Sequence, residues 1–412
     1  MKSVVFKLYI VLTIFIGSSL ASYLGVSLPA NSFFSAVHYR TLPLLLLFYF
    51  LSTKVYFLTR EKLMALLCLC MLIIAGLMNR SAMFAVLVNN AIEPILLIAL
   101  LRKTNNYVKF IKYTFIVFFF VECSVAWIEV MSRTILFADL SSMNQYNIQY
   151  MFDNEMRAYS LHGHPLQNAF LVSLLSYFFL TAKGKVLYRY GLFVIGIVTL
   201  FAFNTRSSIY LMTIVGTYII FKDFRSGVLS KQQKIFVLFF IGLAACFLAF
   251  MVVKYQFGNR IFEYSLSAKD DSSNTRYMLL GIIGNLPLKE FLFGMNNGID
   301  LITFKYSLFA IENSLANFIV TNGFIFTFCW CILIYFCLKS INSDKKKFNL
   351  SFIIFFCLLN VNNALMAETP ILIFYIFALY SLDNLNIHNY ETKNTKSNSL
   401  LLVRGKSSAR FS

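Results

Sequence analysis

Long apolar runs and short polar connections alternate along the chain. The runs predict helices at 5–25, 41–58, 63–78, 82–101, 110–131, 165–182, 187–203, 207–221, 235–254, 311–338, 348–364 and 369–383. Several are shorter than the roughly 20 residues a perpendicular transmembrane helix needs. Tilt, local bilayer thinning and snorkelling Arg or Lys ends absorb the difference. Lys2 and Lys7 before the first run, with Ser19-Leu20-Ala21 after it, imitate a signal peptide. The run continues past an ordinary signal core, so a retained helix is expected. The expectation is an all-α polytopic membrane protein of about twelve transmembrane helices.

Two connections are long, 132–164 and 255–310, and they divide the chain. Residues 1–131 carry the first five helices, 165–254 the next four and 311–383 the last three, before a polar, basic tail at 384–412. Polar residues punctuate some runs: Asn89, Asn90, Glu93 and Pro94 in the fourth, Glu122 and Glu129 on one face of the fifth, and Asn360, Asn362, Asn363 and Glu368 around the last pair. Such groups mark pathways or buried pairing, and hydrogen bonds or ion pairs between helices are the plainer account.

Charge orients the pattern. Every second connection carries lysine, from Lys54 and Lys62 through Lys103 and Lys112, Lys183 and Lys185, and Lys222 and Lys234 to Lys345–Lys347; with the two ends these hold 25 of the 36 Lys and Arg. Cationic connections stay on the cytoplasmic side. Both termini are therefore expected inside, and 132–164 and 255–310 outside, facing the periplasm of a bacterial inner membrane. A mean hydropathy of +0.71, with 59% apolar and 13% charged residues, excludes a soluble globular domain. The net charge of +18 comes with no basic face or nucleic-acid motif, so membrane lipid, not nucleic acid, is the expected partner. All eight cysteines fall in predicted helices, which argues against a disulfide framework.

The outward cations differ in kind. They are Arg40, Arg80, Arg133, Arg157, Arg206, Lys254, Arg260, Lys269, Arg276, Lys289 and Lys305, seven of eleven being Arg, against six of 25 on the inner side. Lysine suffices for orientation, whereas arginine offers a planar fork that grips phosphate and keeps its charge when partly desolvated. An anionic ligand handled on the outer face is the reading for the whole set; interfacial snorkelling is the plainer one for any single Arg.

Three arginines stand in telling places. Arg157 opens Arg-Ala-Tyr-Ser-Leu-His-Gly-His-Pro-Leu-Gln-Asn (157–168), and Arg206 lies in Asn204-Thr205-Arg206-Ser207-Ser208. Arg276 precedes Leu292-Phe293-Gly294-Met295-Asn296-Asn297-Gly298; beyond it come Glu312-Asn313 and Gly323. Glu312 opens a long apolar run, where an uncompensated carboxylate is costly. His162 and His164 imitate a metal pair, but no third ligand is visible and zinc wants three or four.

In their order these elements resemble the O-antigen polymerase and ligase superfamily, which joins undecaprenyl-pyrophosphate-linked glycans at the outer face of the inner membrane. Arg157, His164, Pro165 and Asn168 match its first element and Thr205 with Arg206 its second. Arg276 with Gly294 and Gly298 matches the third, Asn313 with Gly323 the fourth. The match covers roughly residues 110–383. It implies a GT-C-like helical fold, a lipid-pyrophosphate-linked oligosaccharide as substrate, companions such as a flippase and a chain-length regulator, and no cofactor. Ligases of the superfamily resemble one another in a His immediately before the Asn. Glu312 stands there instead, which favours polymerase.

The reaction so implied needs positive charge at the leaving pyrophosphate. Arg206 and Arg276 are the first choices and Arg157 the third, with Asn313 beside them at the substrate. It also needs a base for the acceptor hydroxyl. Glu312 is the leading choice, with His164 and then His162 as rivals. Two alternatives stay open: a ligase transferring glycan to lipid A-core, and a lipid-linked oligosaccharide flippase. A flippase is expected to line a mid-membrane cavity with cations, whereas these crowd the outer rim, and no repeat symmetry is evident.

Overall fold

The computed structural model describes residues 2–25, 41–51, 57–77, 87–102, 107–137, 157–182, 184–227, 229–255, 278–279, 281–296, 298–306, 312–342, 344–360, 365 and 370–383. These are all-helical, with no strand among the described residues. In chain order the helices are α1 (Lys2–Phe15), α2 (Ser18–Tyr23), α3 (Thr41–Leu51), α4 (Thr59–Leu77), a π turn (Val88–Ile92) leading into α5 (Glu93–Leu101), α6 (Val108–Ser132), α7 (Pro165–Thr181), α8 (Val186–Ala202), α9 (Arg206–Arg225), α10 (Lys231–Tyr255), α11 (Leu288–Phe293), α12 (Gly298–Lys305), α13 (Ser314–Asn322), α14 (Phe324–Lys339), α15 (Lys345–Leu359) and α16 (Ile371–Ala378), which runs into a second π turn (Leu379–Asp383).

Two helices, α6 and α10, are long and apolar enough to cross a membrane, and shorter apolar helices accompany them. At the centre stands α7, in which every residue from Pro165 to Leu180 is buried. A helix apolar on all sides has no solvent face to offer, so it is enclosed by neighbours: α6, α8, α9, α15 and α16 pack around it. The α16 helix is equally enclosed, with the Tyr375 ring stacked 4.3 Å from Phe355 and its hydroxyl 2.9 Å from Ser351 Oγ. Opposite in character is α10, which buries only Val237 and Met251.

Cations of the described connections gather at one end of the bundle. There Arg102 pairs with Glu61, and Arg60 donates to the Phe336 carbonyl (2.9 Å). Lys347 reaches the Thr181 carbonyl (3.2 Å), and Arg189 bridges the Leu180 carbonyl and Asp223 (2.9 Å). Helix C-termini expose carbonyls that welcome cations, and Lys222 and Arg225 likewise sit in the last turn of α9. The second half of α6, the start of α7 and the α8–α9 turn lie toward the opposite end.

Some expected runs are divided. The first breaks at Ile16-Gly17 into α1 and α2, and the run at 311–338 is two helices, α13 and α14, parted at Gly323. The connection 255–310, expected as a loop, carries α11 and α12. The break at Gly323 is imposed from outside: Gly323 (φ 87°, ψ 159°) crosses the end of α11 so closely that a Cβ would lie 2.6 Å from Phe293 Cα. Gly294 (φ 79°) is its counterpart, a Cβ there meeting Gly323 N at 2.8 Å. Both backbones sit in a region open to glycine alone, where another residue costs about 1–3 kcal/mol before any collision is counted. Gly323→Ala is expected to lower the melting temperature of the detergent-purified protein, whereas Gly242→Ala, in open space within α10, does not lower it.

Candidate functional site

The end opposite these cations is organised by two carboxylates. Seven residues apart, Glu122 and Glu129 share one face of α6, and both are buried. Glu129 accepts from the backbone N–H of Leu136 (2.9 Å), Tyr159 (2.7 Å) and Ser160 (2.9 Å). Glu122 accepts from Leu161 N (3.4 Å), and Ser160 Oγ donates to the Glu122 carbonyl (3.3 Å). A carboxylate holding successive N–H groups suits a tightly wound loop, and Ser160 (φ 45°) and Gly163 (φ 70°) supply the winding. Ala158 N donates to the Ala202 carbonyl (3.0 Å), joining the loop to the end of α8. Burial, with the charge of Glu129 adding to it, pushes the Tyr159 phenol up to about 12. The polar pair expected to bond between helices therefore bonds from a helix to this loop.

The two histidines take different places. His162 is fully buried, its Nε2 lying 3.2 Å from the Ile14 carbonyl and its ring edge-on to Phe118. It anchors the loop to α1. His164 is the N-cap of α7, with Nδ1 accepting from Leu166 N (3.3 Å) and Pro165 in the first turn, where a missing N–H costs nothing. With Nδ1 so engaged, the neutral ring carries its proton on Nε2. Burial holds the His164 pKa below the ordinary imidazole value, while the charge of Glu312 acts in the other direction. In this geometry the ring offers a hydrogen-bond donor, the opposite of the base named as its rival role.

Glu312 thus lies within electrostatic reach of His164, which brings the first and fourth sequence elements toward one another. Glu312 is half-buried, immediately before α13. Asn313 is the N-cap of α13, its Oδ1 accepting from Ala316 N (3.0 Å). Its carboxamide oxygen is thereby committed to the helix, a structural duty beside the substrate role expected of it.

Arg206 is the first residue of α9, so the guanidinium stands at the positive end of a 20-residue helix. Thr205 precedes it as N-cap, yet its hydroxyl caps nothing. Asn204 takes a left-handed backbone (φ 52°) and is 2% exposed. Among the described residues, neither side-chain polar atom of Asn204 has a partner, nor does Thr205 Oγ1 or Asn168 Oδ1, although Asn168 Nδ2 donates to the Tyr159 carbonyl. A buried polar group left unmatched costs about 1–3 kcal/mol. These amides and this hydroxyl, beside Arg206 and the half-buried Arg157, suit a ligand rich in oxygen. Thr205 and Arg206 were legible as a motif; Asn204 was not singled out, though an Asn in so short a turn suggests the left-handed conformation it adopts.

Other expected residues fall elsewhere. Arg276 lies outside the described residues, as do Asn362, Asn363, Glu368 and the tail from 384. Gly294 and Gly323 serve the backbone crossing described above. In the π turn, Asn90 donates to the Leu365 carbonyl (2.7 Å) and its own carbonyl accepts from Trp330 Nε1 (2.9 Å), while Leu365 N donates to Ser314 Oγ (3.2 Å). Glu93 accepts from Thr41. Asn322 ends α13 at 1% exposure with both side-chain polar atoms lacking a partner among the described residues. Among those residues no three His, Cys, Asp or Glu side chains gather as a metal site would require. In comparisons with known proteins, no family model, curated protein or solved structure matches this chain.

Proposed function

We propose that this chain is a polymerase that joins undecaprenyl-pyrophosphate-linked oligosaccharide units into O-antigen or a related surface polysaccharide at the periplasmic face of the bacterial inner membrane. In this reading twelve helices cross the bilayer, the lysine-bearing end faces the cytoplasm, and the site between α6, α7, α8–α9 and α13 faces outward. The observation that carries it is the convergence of Glu312 with His164. A carboxylate and an imidazole donor from distant parts of the chain come within electrostatic reach, and the Arg157 loop is bonded to Ala202 at the end of α8, a few residues before Arg206.

Glu312 takes the proton of the acceptor sugar hydroxyl as that oxygen attacks the anomeric carbon of the donor unit. The glycosidic bond forms, the bond from anomeric carbon to phosphate oxygen breaks, and the lipid pyrophosphate leaves with the electron pair. Arg206, with Arg157 and Arg276, neutralises the charge that develops there. Nε2–H of His164 donates to an oxygen of the substrate and so orients it.

Deleting the gene tests the proposal. A polymerase mutant leaves lipid A-core capped with a single unit, because ligation continues. Bare core with long carrier-linked chains would make the protein a ligase. Bare core with single units held on the inner leaflet would make it a flippase.

A further inference from the structure

We infer that α11 and α12 form an interfacial pair lying in the headgroup region of the outer leaflet, with phospholipid as the occupant of their exposed apolar face. The inference rests on the membrane placement proposed above, not on the reaction.

The α12 helix belongs to a small core of its own, in which Leu279, Ile282 and Ile302 pack on Ala316 and Val320 of α13, while α11 lies against α13 and α14. With 100° between successive residues, burying Gly298 and Ile302 turns Phe304 to the far side of α12 and Leu301 to the flank beside it. There Leu301 is 52% and Phe304 89% exposed; on α11, Leu288 is 73% and Phe293 49% exposed. Water is a poor covering for so many large apolar side chains on so short a segment.

Three features point to lipid as the cover. First, the patch is continuous with the outside of α14: Phe291 stacks on Phe324 at 5.1 Å and Phe324 on Phe328 at 5.9 Å. From there Ile325, Phe328, Ile332 and Phe336 carry exposed apolar surface along the helix. Second, the apolar sector of α12 is bordered by Lys305 on one side and Asp300 on the other, the layout of a helix lying shallowly with its polar edges in water. Third, exposed Lys289 and Lys305 supply charge for phosphate headgroups, the Lys305 ammonium lying 5.4 Å from the Tyr306 ring. The pair holds the start of α13, and with it Glu312, near the level at which the phosphates of a lipid-anchored donor sit.

The test uses the full chain in phosphatidylcholine liposomes, with Phe304→Trp and, two turns along the exposed side of α14, Ile332→Trp, each read above the emission of Trp127 and Trp330. Phospholipids brominated near the headgroup or far along the acyl chain act as quenchers. The added Phe304→Trp emission is expected to be blue-shifted and quenched more by the shallow bromines, and that of Ile332→Trp more by the deep ones. Leu301→Trp should behave as Phe304→Trp does. Water-like emission at 304 and 301 that neither lipid quenches, with 332 quenched, would overturn the inference while leaving the membrane placement intact. Blue-shifted emission at 304 that neither lipid quenches would mean that protein covers the face, and would overturn it too. No quenching at any of the three positions would remove the membrane placement as well.

Discussion

Glu312→Gln is expected to reduce polymer to single-unit capping while the protein accumulates normally. Glutamine keeps the size and hydrogen-bonding capacity of the side chain and leaves the Asn313 cap of α13 intact, so folding is spared. It cannot take a proton, and loss of a positioned general base costs about 10²–10⁴-fold in rate. Glu312→Asp keeps the carboxylate at a shorter reach and is expected to retain some elongation. The measurement is the surface-glycan ladder beside an immunoblot of the membrane fraction. A wild-type ladder from Glu312→Gln would end the base role. It could not simply pass to His164, whose Nδ1 is engaged by Leu166 N; the substrate itself would then have to supply the base.

Arg206→Lys is expected to lose most activity although the charge is kept. The guanidinium presents a flat pair of donors from the positive end of α9, a geometry that a flexible ammonium does not reproduce. Loss of one charged contact to a transition state costs roughly 2–4 kcal/mol, about 30- to 1000-fold in rate. Arg133→Lys is the control: Arg133 is exposed just past the end of α6 and has no part in the proposed site. In vitro elongation with a lipid-linked unit reads both. Full elongation by Arg206→Lys would leave interfacial anchoring as the role of this arginine.

Much of the helical framework was legible because its signal is local. The runs at 110–131, 165–182, 187–203 and 235–254 correspond closely to α6, α7, α8 and α10. What was not legible depends on contacts distant in sequence. The apolar run through Gly323 continues on both sides, and only the crossing by α11 shows why the helix must stop there. The helices α11 and α12 are too short to stand out in a polar connection. For the site, Arg157, His164, Arg206 and Glu312 were all named from motif order, yet the capping duty of His164 and the unmatched polar atoms of Asn204 appear only once α7, α8 and α9 are placed together. Glu122 and Glu129 were visible as a pair on one face, but their partners are backbone N–H groups, which carry no signature in the sequence.

The seat of His162 on Ile14 bears on the timing of biogenesis. The α1 helix leaves the ribosome long before the 157–164 turn that closes against it. In vectorial synthesis α1 must therefore wait while α3 to α6 are laid down, and the turn can lock only after the start of α7 emerges. Removing or re-registering the first helix would thus damage a turn some 150 residues downstream, as the separation of the two hydrogen-bonded residues shows. Affinity tags are better appended after the last helix than before the first, and folding intermediates arrested before residue 164 should display α1 in a state still open to cysteine-directed labelling.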